Sequence, residues 1–311
     1  MKKNFFYLAI AACVALCNLS CSGSDDGGGS QNPINPLEYA SKAVAFHLSD
    51  GDVPATSSSG ASLTALNFTE AGKAVIEITE NGKKKFVTYN VKIEGNTYTI
   101  TDDNGRVIGT VTSDVTRGTK TAVINVKITV VINGVTYVFN TESAEADMQY
   151  ATMTGGNNLV NIARTWKIKN MKLTLESDDP DFVSLSMTEN SGKLSAFVNE
   201  VKKRDTGFSN EDIDKLNKEI KSVTLDQTGM FDIEYTDGRS DVANWRWTNG
   251  NYSNIALELK DSEAGNKFIQ DNTQISVEFS NNLCKFMLVT TLDRDNKKPF
   301  VGTLNIVMEP K

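Results

Sequence analysis

The sequence predicts an all-β chain, made of two tandem antiparallel eight-stranded barrel-like domains with a helical hairpin inserted in the second. Three observations carry this. Short runs of alternating apolar and polar residues recur along the chain, broken by hairpin dipeptides such as Asn81-Gly82, Asn104-Gly105 and Asn133-Gly134, where Asn and Gly tolerate the positive φ that tight turns need. The 311 residues exceed one typical domain of about 150. Residues 68–79 can also be laid over 225–236, with Gly72/Gly229, Ile76/Ile233, Glu77/Glu234 and Thr79/Thr236 identical, as in an internal duplication.

The elements follow in chain order. Met1-Lys2-Lys3, an apolar run from Phe5 to Leu19 and a small residue at Ser20 have the make-up of an export signal, so residues 1–20 read as a signal peptide. At about 15 residues the apolar run is too short to span a membrane. Leu19-Ser20-Cys21 resembles the bacterial lipoprotein box, with Asn18 where an aliphatic residue is usual. The resemblance implies acylation of Cys21, and a membrane partner reached through acyl chains in which each buried methylene contributes about 0.8 kcal/mol. Ile10-Ala11-Ala12-Cys13 also fits the box, but cutting there would leave too short an apolar run. Residues 21–36 follow as the lipidated cysteine and its tether. Ser22-Gly23-Ser24-Asp25-Asp26-Gly27-Gly28-Gly29-Ser30 is a flexible linker by composition alone. It also resembles the acidic tethers of surface lipoproteins of unknown function in Bacteroidetes bacteria. That likeness implies a lipid anchor in the outer membrane facing the cell surface, with a periplasm-facing anchor as the other option.

The N-terminal β domain spans 37–150, with strands expected near 43–49, 62–69, 73–79, 85–94, 97–102, 106–112, 121–132 and 134–141. Alternation stops after Glu142, and Thr154-Gly155-Gly156-Asn157-Asn158 marks a linker at 151–160. The C-terminal domain, 161–311, has strands expected near 164–176, 222–227, 230–236, 243–249, 253–260, 273–280, 283–293 and 300–309. Its helical insertion lies near 190–221. Leu194, Phe197, Val198 and Val201 follow helical spacing, and a second helix is signalled by Ser209-Asn210-Glu211-Asp212 followed by Ile213, Leu216 and Ile220. The pair would cap a barrel end, pack on its side, or form a lid over a ligand cavity.

Eight up-and-down strands can close into a barrel whose interior holds side chains or one small ligand. The second half resembles lipocalin-like domains at Ile162-Ala163-Arg164-Thr165-Trp166-Lys167, at Asp226-Gln227-Thr228-Gly229-Met230-Phe231 and at Asn244-Trp245-Arg246-Trp247. The family's opening Gly-x-Trp is here Arg164-Thr165-Trp166, and the first half has Val44-Ala45-Phe46 in its place. The likeness implies a barrel but names no ligand. Small β-sandwiches of the same strand count are the structural rival.

Composition narrows the chemistry. Without residues 1–20, 30 basic residues stand against 39 acidic ones, a net charge of −9, which argues against nucleic acid or anionic lipid as the main partner. Past Cys21 the sole cysteine is Cys284, which rules out an internal disulfide framework and reads as a small buried hydrophobe in phase with Phe286 and Leu288. His47 is the sole histidine, so two-histidine metal sites are excluded within one chain, and its strand phase is opposite to Val44, Phe46 and Leu48. Carboxylates cluster at Asp102-Asp103, Asp178-Asp179-Pro180-Asp181 and Asp293-Arg294-Asp295, all beside turn residues. Two of them across a cleft could serve a glycosidase, but the spacing at 178–181 matches no calcium loop. No phosphate-cradling glycine loop or nucleophile elbow is present.

Trp245 and Trp247 are two apart, so on a strand they share a face; with Trp166 they are all the tryptophans. Facing inward they fill the barrel, and facing a mouth or solvent they could stack on a sugar or a flat apolar ligand. The functional expectation is a membrane-anchored lipoprotein acting without covalent chemistry, cofactor or metal. It would bind a small apolar or glycan ligand at the cell surface, with Trp245, Trp247 and Trp166 as ligand contacts. The alternative is a structural or adhesive protein that meets another macromolecule; a carboxylate-dependent hydrolase stands last.

Overall fold

The computed structural model describes residues 43–49, 51–56, 60–115, 120–150, 156–204, 210, 214, 216–259, 274–294 and 297–311. The stretches read as signal peptide and tether, Cys21 among them, and residues 151–155 of the expected linker lie outside the described residues. The chain is all-β and forms two closed antiparallel barrels.

The first barrel runs β1 (Val44–Leu48), β2 (Ala61–Phe68), β3 (Lys73–Glu80), β4 (Lys83–Glu94), β5 (Thr97–Thr101), β6 (Val107–Val115), β7 (Thr121–Ile132) and β8 (Val135–Tyr150), each paired with the next. It closes by pairing Val44 with Tyr150 and Leu48 with Ala146. Inward positions carry branched and aromatic residues, and Phe68 stacks on Tyr98 at 4.2 Å with Phe46 edge-on to both.

The second barrel uses β9 (Thr165–Ser177), β11 (Ile220–Leu225), β12 (Met230–Tyr235), β13 (Ser240–Trp247), β14 (Asn254–Leu259), β15 (Gln274–Ser280), β16 (Leu283–Arg294) and β17 (Lys297–Pro310). Pairing of β17 along β9, from Phe300–Ser177 to Pro310–Trp166, closes it. A further strand, β10 (Leu185–Glu189), pairs with β9 beyond the point where β11 leaves it. Helix α1 (Gly156–Ile162) sends Leu159 and Ile162 into this core, and α2 (Ser195–Lys202) adds Phe197, Val198 and Val201. Most of the expected second insertion helix falls outside the described residues.

Three departures from the sequence reading have local causes. Strand β8 continues to Tyr150, past Glu142 where the simple alternation stops. A bulge opposite Ile124 and Val126 reverses the phase, so inward residues pass from Tyr137 and Phe139 to Ala144, Ala146 and Met148. Strand β10 is only five residues long and largely polar, so its pattern is too weak to read. Helix α1 occupies part of the stretch read as linker. Among the described residues no helix is long and apolar enough to cross a membrane.

The two aligned turns repeat one hydrogen-bond pattern. At the β2–β3 turn Thr69 N donates to Lys73 O, Gly72 N to Thr69 O and Val91 N to Gly72 O. At the β11–β12 turn Asp226 N donates to Met230 O, Gly229 N to Asp226 O and Trp245 N to Gly229 O. Gly72 and Gly229 have φ of 74° and 89°, a conformation in which a Cβ is strained. The β12–β13 hairpin is shorter, pairing Phe231 with Ala243 where β3–β4 pairs Ala74 with Tyr89. Trp245 is therefore the counterpart of Val91.

Candidate functional site

The three tryptophans belong to the second barrel but do not form an open ligand site. Trp166 begins β9 and is 2% exposed, its Nε1 donating to Ile162 O of α1 at 3.0 Å. Trp245 is 3% exposed, and its Nε1 donates to Asp226 O at 3.0 Å. Both are core residues whose polar edges are satisfied by nearby backbone, so the expected ligand contacts at these two positions give way to packing. Trp247 shares the face of Trp245, as strand alternation requires, and meets it edge to face at 5.2 Å. It is half-buried and sits 5.9 Å from Tyr252, whose carbonyl accepts a hydrogen bond from Asn158 of α1.

In both barrels the described inward residues pack into an apolar core. The second barrel holds an apolar cavity of about 20 Å³ among Ile233, Leu257, Ile275, Phe286 and Ile306. That is room for about one water molecule, in a site with no polar partner to hold it. Each barrel also has a Lys–carboxylate–Tyr trio at its β3–β4 or β12–β13 end. In the first, Lys85 donates to Glu80 at 2.6 Å and to Tyr137 Oη at 3.0 Å. In the second, Tyr235 Oη donates to Asp241 at 2.6 Å while Lys218 pairs with the same carboxylate at 3.2 Å.

The carboxylate clusters are structural. Asp102 accepts from Asn104 N and Arg106 N within its own turn. Asp179 caps Asp181 N and pairs with the buried Arg294 at 2.6 Å, with Arg294 stacked over Phe182. Among the described residues no group of three His, Cys, Asp or Glu is placed to hold a metal ion. Asp295 lies outside the described residues. Cys284 is fully buried beside Phe286 and Leu288, and burial pushes its thiol far above the ordinary range. His47 is half-buried on the outward phase of β1.

A buried polar cluster that motif reading missed lies at the seam where the outer face of β3–β4 meets that of β12–β13. Val75, Phe86, Met230 and Val242 form its apolar half. In the polar half, Lys73 Nζ donates to Glu234 at 3.3 Å and to Asn90 at 3.0 Å, with both charged side chains only 4% exposed. Ser222 donates to Glu234 at 2.8 Å, and Lys221 bridges Glu234 to Asp103 of the first barrel. Thr88 Oγ1 donates to Asp232 at 3.0 Å and lies 2.7 Å from Ser240 Oγ. At the turn end, Gln227 N donates to Glu70 at 3.2 Å and Gln149 to Thr228 O at 3.3 Å.

Charge follows from this geometry. Burial, then the neighbouring Glu234 carboxylate, raises Asp232 to about 8. Burial and Asp226 raise Glu70 to about 7. Burial also opposes the charge on Glu234, but Lys73 and the hydrogen bonds from Lys221 and Ser222 outweigh it and hold that carboxyl below its usual range. Asp232 could in principle act as an acid, yet it is 1% exposed and sealed between barrels, out of reach of a substrate. The available signal was apolar residues at outward positions, Val75, Phe86 and Val242, which a solvated barrel face would not carry.

No protein-family model matches the chain, and no curated protein matches it. Among solved structures it has a weak likeness to the di-domain ARO/CYC StfQ from the steffimycin biosynthetic pathway, with 6% identity, TM-score 0.17, and coverage of 89% of this chain and 77% of that one. A porin-like protein from Bacteroides uniformis ATCC 8492 gives 8% identity and TM-score 0.18, covering 87% of this chain and 97% of that one. The di-domain ARO/CYC BexL from the BE-7585A pathway gives 9% identity and TM-score 0.15, covering 76% and 70%. Likenesses at these scores establish neither a shared fold nor a shared function.

Proposed function

We propose that this chain is a lipid-anchored, non-catalytic structural or adhesive module of lipocalin-like barrels, displayed at the bacterial outer membrane, which meets a macromolecular partner through its outer surface. The observation that carries this reading is the packed apolar core: among the described residues of the second barrel a cavity of about 20 Å³ is far below the several hundred Å³ of ordinary ligand sites, and Trp166 and Trp245 are part of the core. Anchoring rests on the export signal and the box at Cys21. The acidic surface disfavours a nucleic-acid partner.

Among the described residues a small-ligand reading has its support at the half-buried Trp247 beside Tyr252, where a flat apolar or glycan group could stack. Tryptophan emission of a fragment from about residue 32, titrated with lipid and oligosaccharide panels, separates the two. The structural reading expects no saturable change; a saturable shift lost in Trp247→Ala overturns it. Metabolic labelling with palmitate tests the anchor: label is expected on the parent and absent from Cys21→Ala, and equal labelling of both removes that part of the proposal.

A further inference from the structure

We propose that the seam between the barrels is an acid-tightened joint: the barrels dock most firmly in mildly acidic surroundings, and the contact slackens as the solution becomes alkaline. The argument starts from placement. Asp232 stands on the outer face of β12 and would face water on an isolated barrel; it is buried because β4 of the other barrel covers it. From β4 it meets Thr88, and from β13 Ser240, both hydroxyls. From β3 comes Lys73, whose ammonium is engaged by Glu234 and Asn90. Glu234 lies two residues along the same face, and Lys221 of β11 is tied to Glu234 and Asp103. Lys311 sits close enough at the rim to feel Lys73, Lys221, Glu234 and Asp103. Among the described residues the hydrogen-bond partners of Asp232 are hydroxyls, and no cation bonds to it. Glu70 repeats the pattern at the turn end: one oxygen accepts from Gln227 N, the other is buried without a partner, and Asp226 is the neighbouring charge.

The sign follows. Undocking returns both carboxyls to water and to their ordinary values, whereas docking holds Asp232 near 8 and Glu70 near 7. Docking therefore takes up protons, and the docked fraction falls as pH rises from the ordinary carboxylate range towards those values. The fall is up to about tenfold per pH unit for each group. Glu234 and Asp103, held low by their lysine partners, oppose this only in stronger acid, where they would be protonated.

The test uses the full chain with a protease site placed between residues 150 and 156, cut after folding, and the Kd of the two halves measured by sedimentation at pH 5.5 and 8.5. Kd is expected to rise at least tenfold over that interval. Asp232→Asn with Glu70→Gln should abolish the rise, and Glu70→Gln alone, at the edge of the seam, should reduce it. A Kd that does not change with pH in the parent, or a rise that persists in the double variant, overturns the proposal.

Discussion

Replacing Lys73 by Met removes the ammonium that neutralises Glu234 inside the seam while keeping side-chain volume. Both members of the pair are 4% exposed, so solvent does little to screen the loss. Breaking a buried pair from one side costs about 3–5 kcal/mol, because the remaining charge is stranded. Glu234 retains Lys221 and Ser222, which places the expected cost at the lower end, about 3 kcal/mol. For a chain of this size about 2–4 °C of melting temperature is lost per kcal/mol, so the midpoint should fall by about 6–12 °C. Thermal unfolding followed by tryptophan emission reads the second barrel selectively, since all three tryptophans lie there. Combining Lys73→Met with Glu234→Leu removes the stranded charge, and should recover at least half of the loss. A single variant that melts within about 2 °C of the parent, or a double variant worse than the single, would refute the reasoning.

Trp245→Ala should destabilise by about 3–5 kcal/mol in urea unfolding, and Trp247→Ala by less than half of that because its ring is half-buried; equal losses would contradict the packing described. Gly72→Ala and Gly229→Ala each force a Cβ into a left-handed turn, and each should cost about 1–2 kcal/mol in the same assay. The Cβ at Gly72 would stand 3.6 Å from Val91 O, an ordinary contact, so the cost there is backbone strain; no loss at either site would mean that the turns relax. Native Cys284 should react with a thiol reagent only as fast as the second barrel unfolds, and immediate reaction would show that it is not sealed in the core.

The strands were legible because each has an inward phase that must be apolar, and turn residues such as Asn81-Gly82 and Asn133-Gly134 adopt the positive φ their hairpins need. The pairing of Val44 with Phe68, and of Arg164 O with Leu225 N, puts Phe46 and Trp166 at matching positions, as the overlay of Val44-Ala45-Phe46 on Arg164-Thr165-Trp166 implied. The end of β8 was not legible, because its bulge reverses the alternation that marks a strand. The seam was illegible for a different reason. Lys73, Asp232 and Glu234 occupy outward strand positions, where charge ordinarily means water, and the partner barrel turns them into buried groups. The tryptophans illustrate the limit of motif reading: spacing gave Trp245 and Trp247 a common face, but whether that face met ligand or core depended on the residues from distant parts of the chain that make up the second core.

The packed core of the second barrel is tested most directly by its methyl resonances. Ile233, Leu257 and Ile275 line the small cavity, and their shifts can be followed during titration with fatty acids, detergents and oligosaccharides. The account predicts that these interior methyls do not move while ligand is added. Saturable shifts at all three, with the barrel still folded, would contradict it and restore the small-ligand reading.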